Sequence, residues 1–395
     1  MSRSDLLRIG VMAALFFGSA LSRSASPAPP EKKRSDAEFQ TELFDGKSLQ
    51  GWTIENGCQV GVEEGALVLQ EGNGWLRSDH QYADFRLHVE WKAVKEADYD
   101  SGIYIRTLPG GAPFPKSSYQ INLLDGEEGN IKSLKVASKP GLVKKGEWNA
   151  FDVTVEGDTV LLQINGQKAY QASGLKNRSG YVGLQCEVLK GGRFLFRNLR
   201  ITELGHRALF NGKNLTGWTG VGDPAEKCWL VQEGALVCTG APGPWIRSAE
   251  QFGDFNLRLE YQVAAGGNSG VYVRVPDDGN HHREDESMPP AGFEVQILDD
   301  KDPQYKELKD FQYSGSVYDI AGAAPRNTRP AGEWNTLEIN CHGQHVTVSQ
   351  NGVVVANVQE KSHPLIKLRK QEGFLGLQNH STQVKFRNVR IGPAS

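Results

Sequence analysis

Apolar and polar residues alternate along much of the chain, the period of strands with one face in a core and the other in solvent. Phe255, Leu257, Leu259 and Tyr261 are interleaved with Asn256, Arg258, Glu260 and Gln262, and Phe85, Leu87, Val89 and Trp91 have the same spacing. Val160, Leu162 and Ile164 run into Asn165-Gly166, and Val346 and Val348 into Asn351-Gly352, the dipeptide that best marks a tight hairpin. No helical period is sustained anywhere. Many short strands separated by turn signals predict an all-β chain of two-sheet sandwiches, jelly-roll in type.

The pattern occurs twice. Leu43-Phe44-Asp45-Gly46-Lys47-Ser48-Leu49-Gln50-Gly51-Trp52 returns as Leu209-Phe210-Asn211-Gly212-Lys213-Asn214-Leu215-Thr216-Gly217-Trp218. Ser101-Gly102-Ile103-Tyr104-Ile105-Arg106 returns as Ser269-Gly270-Val271-Tyr272-Val273-Arg274, and Phe196-Arg197-Asn198 as Phe386-Arg387-Asn388. A period this long indicates duplicated domains rather than a solenoid, and we place them at residues 39–204 and 205–395. The recurring Trp52, Trp148, Trp218 and Trp334 suit core positions. The second copy is longer, with excursions at Asp277 to Pro290 and Asp299 to Pro330, and added loops on a shared scaffold are where function tends to reside.

Candidate chemistry gathers beside those excursions. In Gly292-Phe293-Glu294-Val295-Gln296-Ile297-Leu298-Asp299-Asp300, strand alternation turns Phe293, Val295 and Ile297 to a core and Glu294 and Gln296 to the other face. The first copy has Gln120 and Asn122 at the places of Glu294 and Gln296. By the same parity Tyr272 and Arg274 share a face, as do Gln378 and His380. If these strands adjoin, Arg274, Glu294, Gln296, Tyr272 and His380 line one surface; the plainer reading is a solvated sheet face. The run His281-His282-Arg283-Glu284-Asp285-Glu286 looks at first sight like a metal or substrate loop, but a charge run is usually just solvated, and that is the reading preferred. Asp299-Asp300-Lys301-Asp302 is acidic enough for a hard cation but lacks the spacing of a calcium loop.

With 44 basic and 47 acidic residues the net charge is -3, which leaves no electrostatic footprint for nucleic acid. Arg3 and Arg8 precede the apolar run Ile9 to Leu21, with small residues Gly18, Ser19 and Ala20 near its end. This reads as a signal peptide at 1–21, too short to favour a membrane span, followed by a Pro/Ser-rich linker at 22–38. Export to the periplasm or the medium follows, with no membrane span after cleavage. An uncleaved N-terminal anchor is the alternative. Five cysteines cannot all pair. Cys228 and Cys238 flank a predicted hairpin and are either a cross-strand bridge or two buried thiols. No Cys/His spacing resembles a zinc site.

The Leu-Phe-(Asp/Asn)-Gly-Lys-x-Leu-x-Gly-Trp opening resembles the 3-keto-disaccharide hydrolase domain family. So do Asn268-Ser269-Gly270-Val271-Tyr272-Val273-Arg274, the strand around Glu294, Ser314-Gly315-Ser316-Val317-Tyr318-Asp319 and Phe386-Arg387-Asn388. The resemblance covers nearly all of both copies. It implies a concanavalin A-like jelly roll and an exported bacterial protein of sugar catabolism. A carbohydrate substrate is expected, with a separate sugar 3-dehydrogenase supplying its keto form; no organic cofactor is expected, and a divalent metal is left open. A ketone at sugar carbon 3 acidifies the proton on carbon 2, so a positioned base can remove it and expel the carbon 1 group. On that reading Glu294 is the general base or a metal ligand, Asp299 a second acid or orienting group, and His380 a proton carrier. Arg274 and Gln296 hold substrate oxygens, with Tyr272, Tyr318 and Gln378 as further contacts. An amide is no general base, so the first copy is expected to be a binding or structural partner.

Two rivals remain at this level. A conventional glycoside hydrolase would place two carboxylates about the bond, and Glu294 and Asp299 have an amide, Gln296, between them. A non-catalytic lectin-like protein is the other, since sandwiches host binding as readily as catalysis.

Overall fold

The computed structural model describes residues 38–394. The predicted signal peptide at 1–21 and the linker up to residue 37 lie outside the described residues. Residues 38–394 form two sandwiches, each an eight-stranded antiparallel sheet packed on a five-stranded one. The one α-helical turn among the described residues is Val188–Gly191.

The small sheet of the second sandwich positions the candidate site. Its strands lie in the order Trp218–Gly220, Ile246–Phe252, Gly373–Leu377, Asn268–Val275, Phe293–Leu298. Val271, Val273, Phe293, Val295, Ile297, Leu375 and Leu377 enter a core whose other wall is Phe255, Leu257, Leu259 and Tyr261 from the large sheet. Burying each such side chain contributes about 1.5–3 kcal/mol, and that requirement fixes the register, because a one-residue slip would turn Glu294 inward. The edge strand Phe293–Leu298 is covered rather than open. Tyr318 N donates to Glu294 O at 2.9 Å, Gln296 N to Ser316 O at 3.0 Å and Gly315 N to Gln296 O at 2.9 Å.

Two strand expectations need correction. Asn256 and Arg258, read as solvent-facing, are buried, because the other sandwich covers them. Arg258 Nη1 bonds Glu203 Oε2 at 2.7 Å, and Arg390 Nε bonds Glu203 Oε1 at 2.6 Å. His80 Nδ1 lies 3.4 Å from Glu338 Oε2, and Arg329 Nη2 lies 2.8 Å from Asp79 Oδ2. Burial alone would push the Glu203 carboxyl up, but Arg390 and Arg258 hold it down at about 2. Of the four recurring tryptophans, Trp52 and Trp218 are core residues. Trp148 and Trp334 are half-buried and capped by the guanidinium groups of Arg197 and Arg387, each 4.0 Å from the ring.

All five cysteines are free and buried. Cys238 pairs with Trp229 in the hairpin, so Cys228 falls just past the ladder. Its thiol donates to Pro244 O at 3.4 Å and accepts from Asn379 Nδ2 at 3.3 Å.

Candidate active site

The outer face of the small second sheet and the two excursions enclose a cleft of about 270 Å³. The sheet supplies Asn268, Glu294 and Gln296, and Gln378 and His380 follow its central strand. The first excursion supplies His281, and the second supplies Tyr305, Gln312 and Tyr318. Both loops predicted from the length difference between copies therefore form walls of the same cleft.

Glu294 is the chemically distinctive residue. It is 2 % exposed, and its Oε1 is buried without a hydrogen-bond partner. Its Oε2 lies 3.3 Å from His281 Nε2. Burial, reinforced by the charge of Asp319, raises its pKa to about 8, because removing a carboxylate from water penalises the charged form. Burial also lowers the pKa of His281. Since His281 Nδ1 lies 3.1 Å from Gly279 O, which can only accept, Nε2 carries the lone pair. Below a pH of about 8 the contact is thus a protonated Glu294 donating to a neutral imidazole rather than an ion pair.

The surroundings hold this pair in place. His281 stacks on Tyr272 at 4.8 Å between ring centroids, and Trp245 meets Tyr272 edge-on at 5.1 Å. Gln378 Nε2 donates to Tyr272 OH at 3.1 Å, which leaves Gln378 Oε1 buried and unpartnered. Gln296 Nε2 donates to Asn268 Oδ1 at 2.8 Å, freeing Gln296 Oε1 and Asn268 Nδ2 for a ligand. Tyr318 OH accepts from Gln312 Nε2 at 3.0 Å, so its own proton is available. Beside the wall, His282 Nδ1 lies 2.5 Å from Asp319 Oδ2.

Of the residues predicted from sequence, Glu294, Gln296, Gln378, His380 and Tyr318 meet at the cleft. Tyr272 is adjacent but lies beneath His281. Two do not take part. Arg274 has φ +52° and sits at a register shift between Tyr272 and Val275, a bulge that reverses strand parity. Its guanidinium runs into the sandwich, bonding Gly253 O at 2.9 Å, Gly343 O at 2.6 Å and Asp254 Oδ1 at 3.2 Å. Arg106 makes the equivalent ties in the first copy, to Ala83 O, Gly157 O and Asp84. Asp299 lies beyond the last strand residue, where Oδ2 accepts from Gly266 N at 3.0 Å, a turn anchor rather than a second acid.

Asp300 and Asp302 are likewise committed to the amides of Ser314 and Gln304. Among the described residues no three His, Cys, Asp or Glu side chains converge as metal ligands. The residues missed from sequence are His281, Asn268, Tyr305 and Gln312. The signal for His281 was its place in an excursion inserted directly between the strands of Tyr272 and Glu294.

Residues 40–202 and 205–392 each match the model of the 3-keto-alpha-glucoside-1,2-lyase-like domain. A Bacteroides thetaiotaomicron protein named 3-keto-disaccharide hydrolase is 28% identical over 273 residues, covering 59% of this chain and 93% of that one. A solved Parabacteroides distasonis structure, provisionally described as a glycosyl hydrolase, is 26% identical with a TM-score of 0.41, covering 48% of this chain and 94% of its own. A carbohydrate-binding module from Bacillus subtilis is 14% identical with a TM-score of 0.31, covering 38% of this chain and 94% of its own.

Proposed function

The chain belongs to the 3-keto-alpha-glucoside-1,2-lyase-like family, and on that premise we propose that its second sandwich cleaves 3-keto-glycosides by elimination and hydration, with Glu294 as the base. Membership makes the protein a glycosidase-type carbohydrate-active enzyme. The observation that carries the finer reading is a buried carboxylate in the wall of a polar cleft, that of Glu294, one oxygen of which has no hydrogen-bond partner.

The ionised carboxylate of Glu294 takes the proton from sugar carbon 2, and the C–H electron pair moves toward the carbon 3 carbonyl as an enolate. Tyr318 O–H and Asn268 Nδ2, both on residues lining the cleft, donate to that developing oxyanion. The enolate then collapses to a carbon 1–carbon 2 double bond and expels the carbon 1 oxygen, which takes a proton from His380 at the cleft mouth. Water adds to carbon 1, giving its proton to His380, and Glu294 returns its proton to carbon 2. The sum is hydrolysis, with both side chains restored. Gln296 Oε1 and Gln378 Oε1 accept hydrogen bonds from ring hydroxyls. A base with a pKa near 8 suits this task, since efficiency is greatest when that value approaches the working pH.

A two-carboxylate glycosidase fits less well. Glu294 is the one carboxylate among the described residues lining the cleft, and Asp299 is turned into a backbone turn. A redox enzyme that oxidises the carbon 3 hydroxyl must supply the substrate, and the basic, apolar N-terminus favours action outside the cytoplasm.

The test is turnover of a 3-keto-glucoside and of its unoxidised parent by the full chain, with and without chelator. Release of sugar from the keto form alone supports the proposal, and equal release from the parent sinks it. The chelator arm decides whether a metal takes part.

A further inference from the structure

The first sandwich repeats the cleft without its carboxylate and without its histidine. Gln120 stands opposite Tyr104 in the strand ladder as Glu294 stands opposite Tyr272. Gly102 lies under the Gln120 side chain as Gly270 lies under that of Glu294. Trp75 meets Tyr104 edge-on at 5.7 Å, as Trp245 meets Tyr272. A cleft of about 200 Å³ remains over this face, lined by Ser118, Gln120, Asn122, Lys132 and Ser133. The connection after Gly102–Leu108 reaches the next strand at Ser117, too short to carry a counterpart of the His281 loop.

We infer that this first cleft is a second, non-catalytic binding site for a neutral saccharide. Its hydrogen-bonding groups are fixed before a ligand arrives. Gln120 Nε2 donates to Gln185 Oε1 at 2.5 Å, and Gln185 Nε2 donates to Glu187 Oε2 at 2.9 Å. That relay sets the Gln120 amide so that Oε1 accepts from a ligand hydroxyl, while Ser118 and Ser133 can each donate and accept. Lys132, the cation of the lining, is held 2.8 Å from Glu127 Oε2, so the rim offers no uncompensated positive charge to an acidic sugar. Amides and hydroxyls without net charge match a ligand made of hydroxyls. With Gln120 where a base is required, no proton can be taken from carbon, and binding is the chemistry left.

The sugar class rests on the function proposed for the second cleft, so the experiment separates the two. The full chain carrying Glu294→Gln is titrated calorimetrically with trehalose and maltose, and with glucuronic acid as the charged control. Saturation at two neutral disaccharides per chain is expected. Gln120→Ala with Asn122→Ala should weaken one of the two sites by about tenfold or more, and Ser118→Trp, which fills the cleft, should do the same. The same first-cleft variants with Glu294 intact should keep the parent kcat. One disaccharide per chain, or affinities indifferent to both the Gln120/Asn122 pair and Ser118→Trp, overturns the inference. Salt-sensitive preference for glucuronic acid overturns the neutral-ligand assignment. A chain that turns over no keto-glucoside yet loses a site on Gln120 substitution would sink the proposed reaction and leave this inference standing.

Discussion

The carboxylate of Glu294 lies over the bare Cα of Gly270, so near that a β-carbon there would overlap Oε1. The strand that carries Tyr272 thus makes room for the acid on its neighbour. A side chain at 270 would force Glu294 off its rotamer and away from His281. Gly270→Ala should fold, since φ there is not positive, yet lose about a hundredfold in kcat, the usual cost of displacing a reacting group by about 1 Å. Steady-state kinetics on a 3-keto-glucoside checks this, and an unchanged kcat would mean that the observed position of Glu294 is unimportant.

Burial of Glu294 sets a pH dependence with a definite sign. Its folded pKa of about 8 exceeds the ordinary value of 4.5. Between those values the unfolded chain releases a proton that the folded chain retains, so this group lowers stability as pH rises from 4.5 to 8. Glu294→Gln should therefore melt at a higher temperature than the parent, by a margin that widens over that window to on the order of a few kcal/mol. The same ionisation should give the parent's kcat/KM a rising limb with its midpoint near pH 8. Melting curves and a pH–rate profile test the two halves separately.

His281 positions Glu294 through the 3.3 Å contact and is itself held by Gly279 O and the Tyr272 ring. His281→Ala should reduce kcat more than it raises KM and move the midpoint of the pH–rate profile. An altered KM with an unshifted midpoint would indicate a residue that only touches substrate.

Arg274 is expected to matter for stability alone. Its three bonds tie the small sheet to two turns, and lysine cannot reproduce a planar fork of donors. Arg274→Lys should cost about 2–4 kcal/mol in denaturant unfolding while leaving KM within error of the parent.

The junction between the sandwiches should weaken in acid. Burial lowers the pKa of His206 to about 4 despite the pull of Glu203, so stability falls as pH drops from 6.5 to 4. Glu203, depressed from 4.5 to about 2, adds a loss as pH falls through that lower range. Glu203→Gln leaves Arg258 and Arg390 buried without their shared carboxylate and should cost about 3–5 kcal/mol at neutral pH. It should also flatten the acid limb below pH 4.5.

How far the sequence carried can be judged at particular residues. Strand alternation was sufficient for the two sandwiches and for the outward face of Glu294 and Gln296, because both features follow from a period of two. It failed at Arg274, where one residue with positive φ reverses the parity and sends the guanidinium inward. It failed at Asp299, which lies past the strand end where alternation no longer applies. His281 looked like part of a solvated charge run, and only the fold brings that loop back over Glu294. Arg258 looked solvent-facing because nothing local records that a second sandwich will cover it.

The most direct test is to run the reaction in deuterium oxide, with unlabelled 3-keto-glucoside, and examine carbon 2 of the released sugar at low conversion against the product incubated alone. Elimination and hydration predict slower release when carbon 2 of the substrate carries deuterium, and no release with Glu294→Gln. They also predict deuterium from the solvent at carbon 2 of the product, beyond that acquired by the control, in whatever fraction of turnovers the Glu294 proton exchanges before its return. Product retaining its original hydrogen at carbon 2, together with release that is not slowed when carbon 2 of the substrate carries deuterium, would mean that Glu294 takes no proton from carbon, and direct hydrolysis would replace the mechanism.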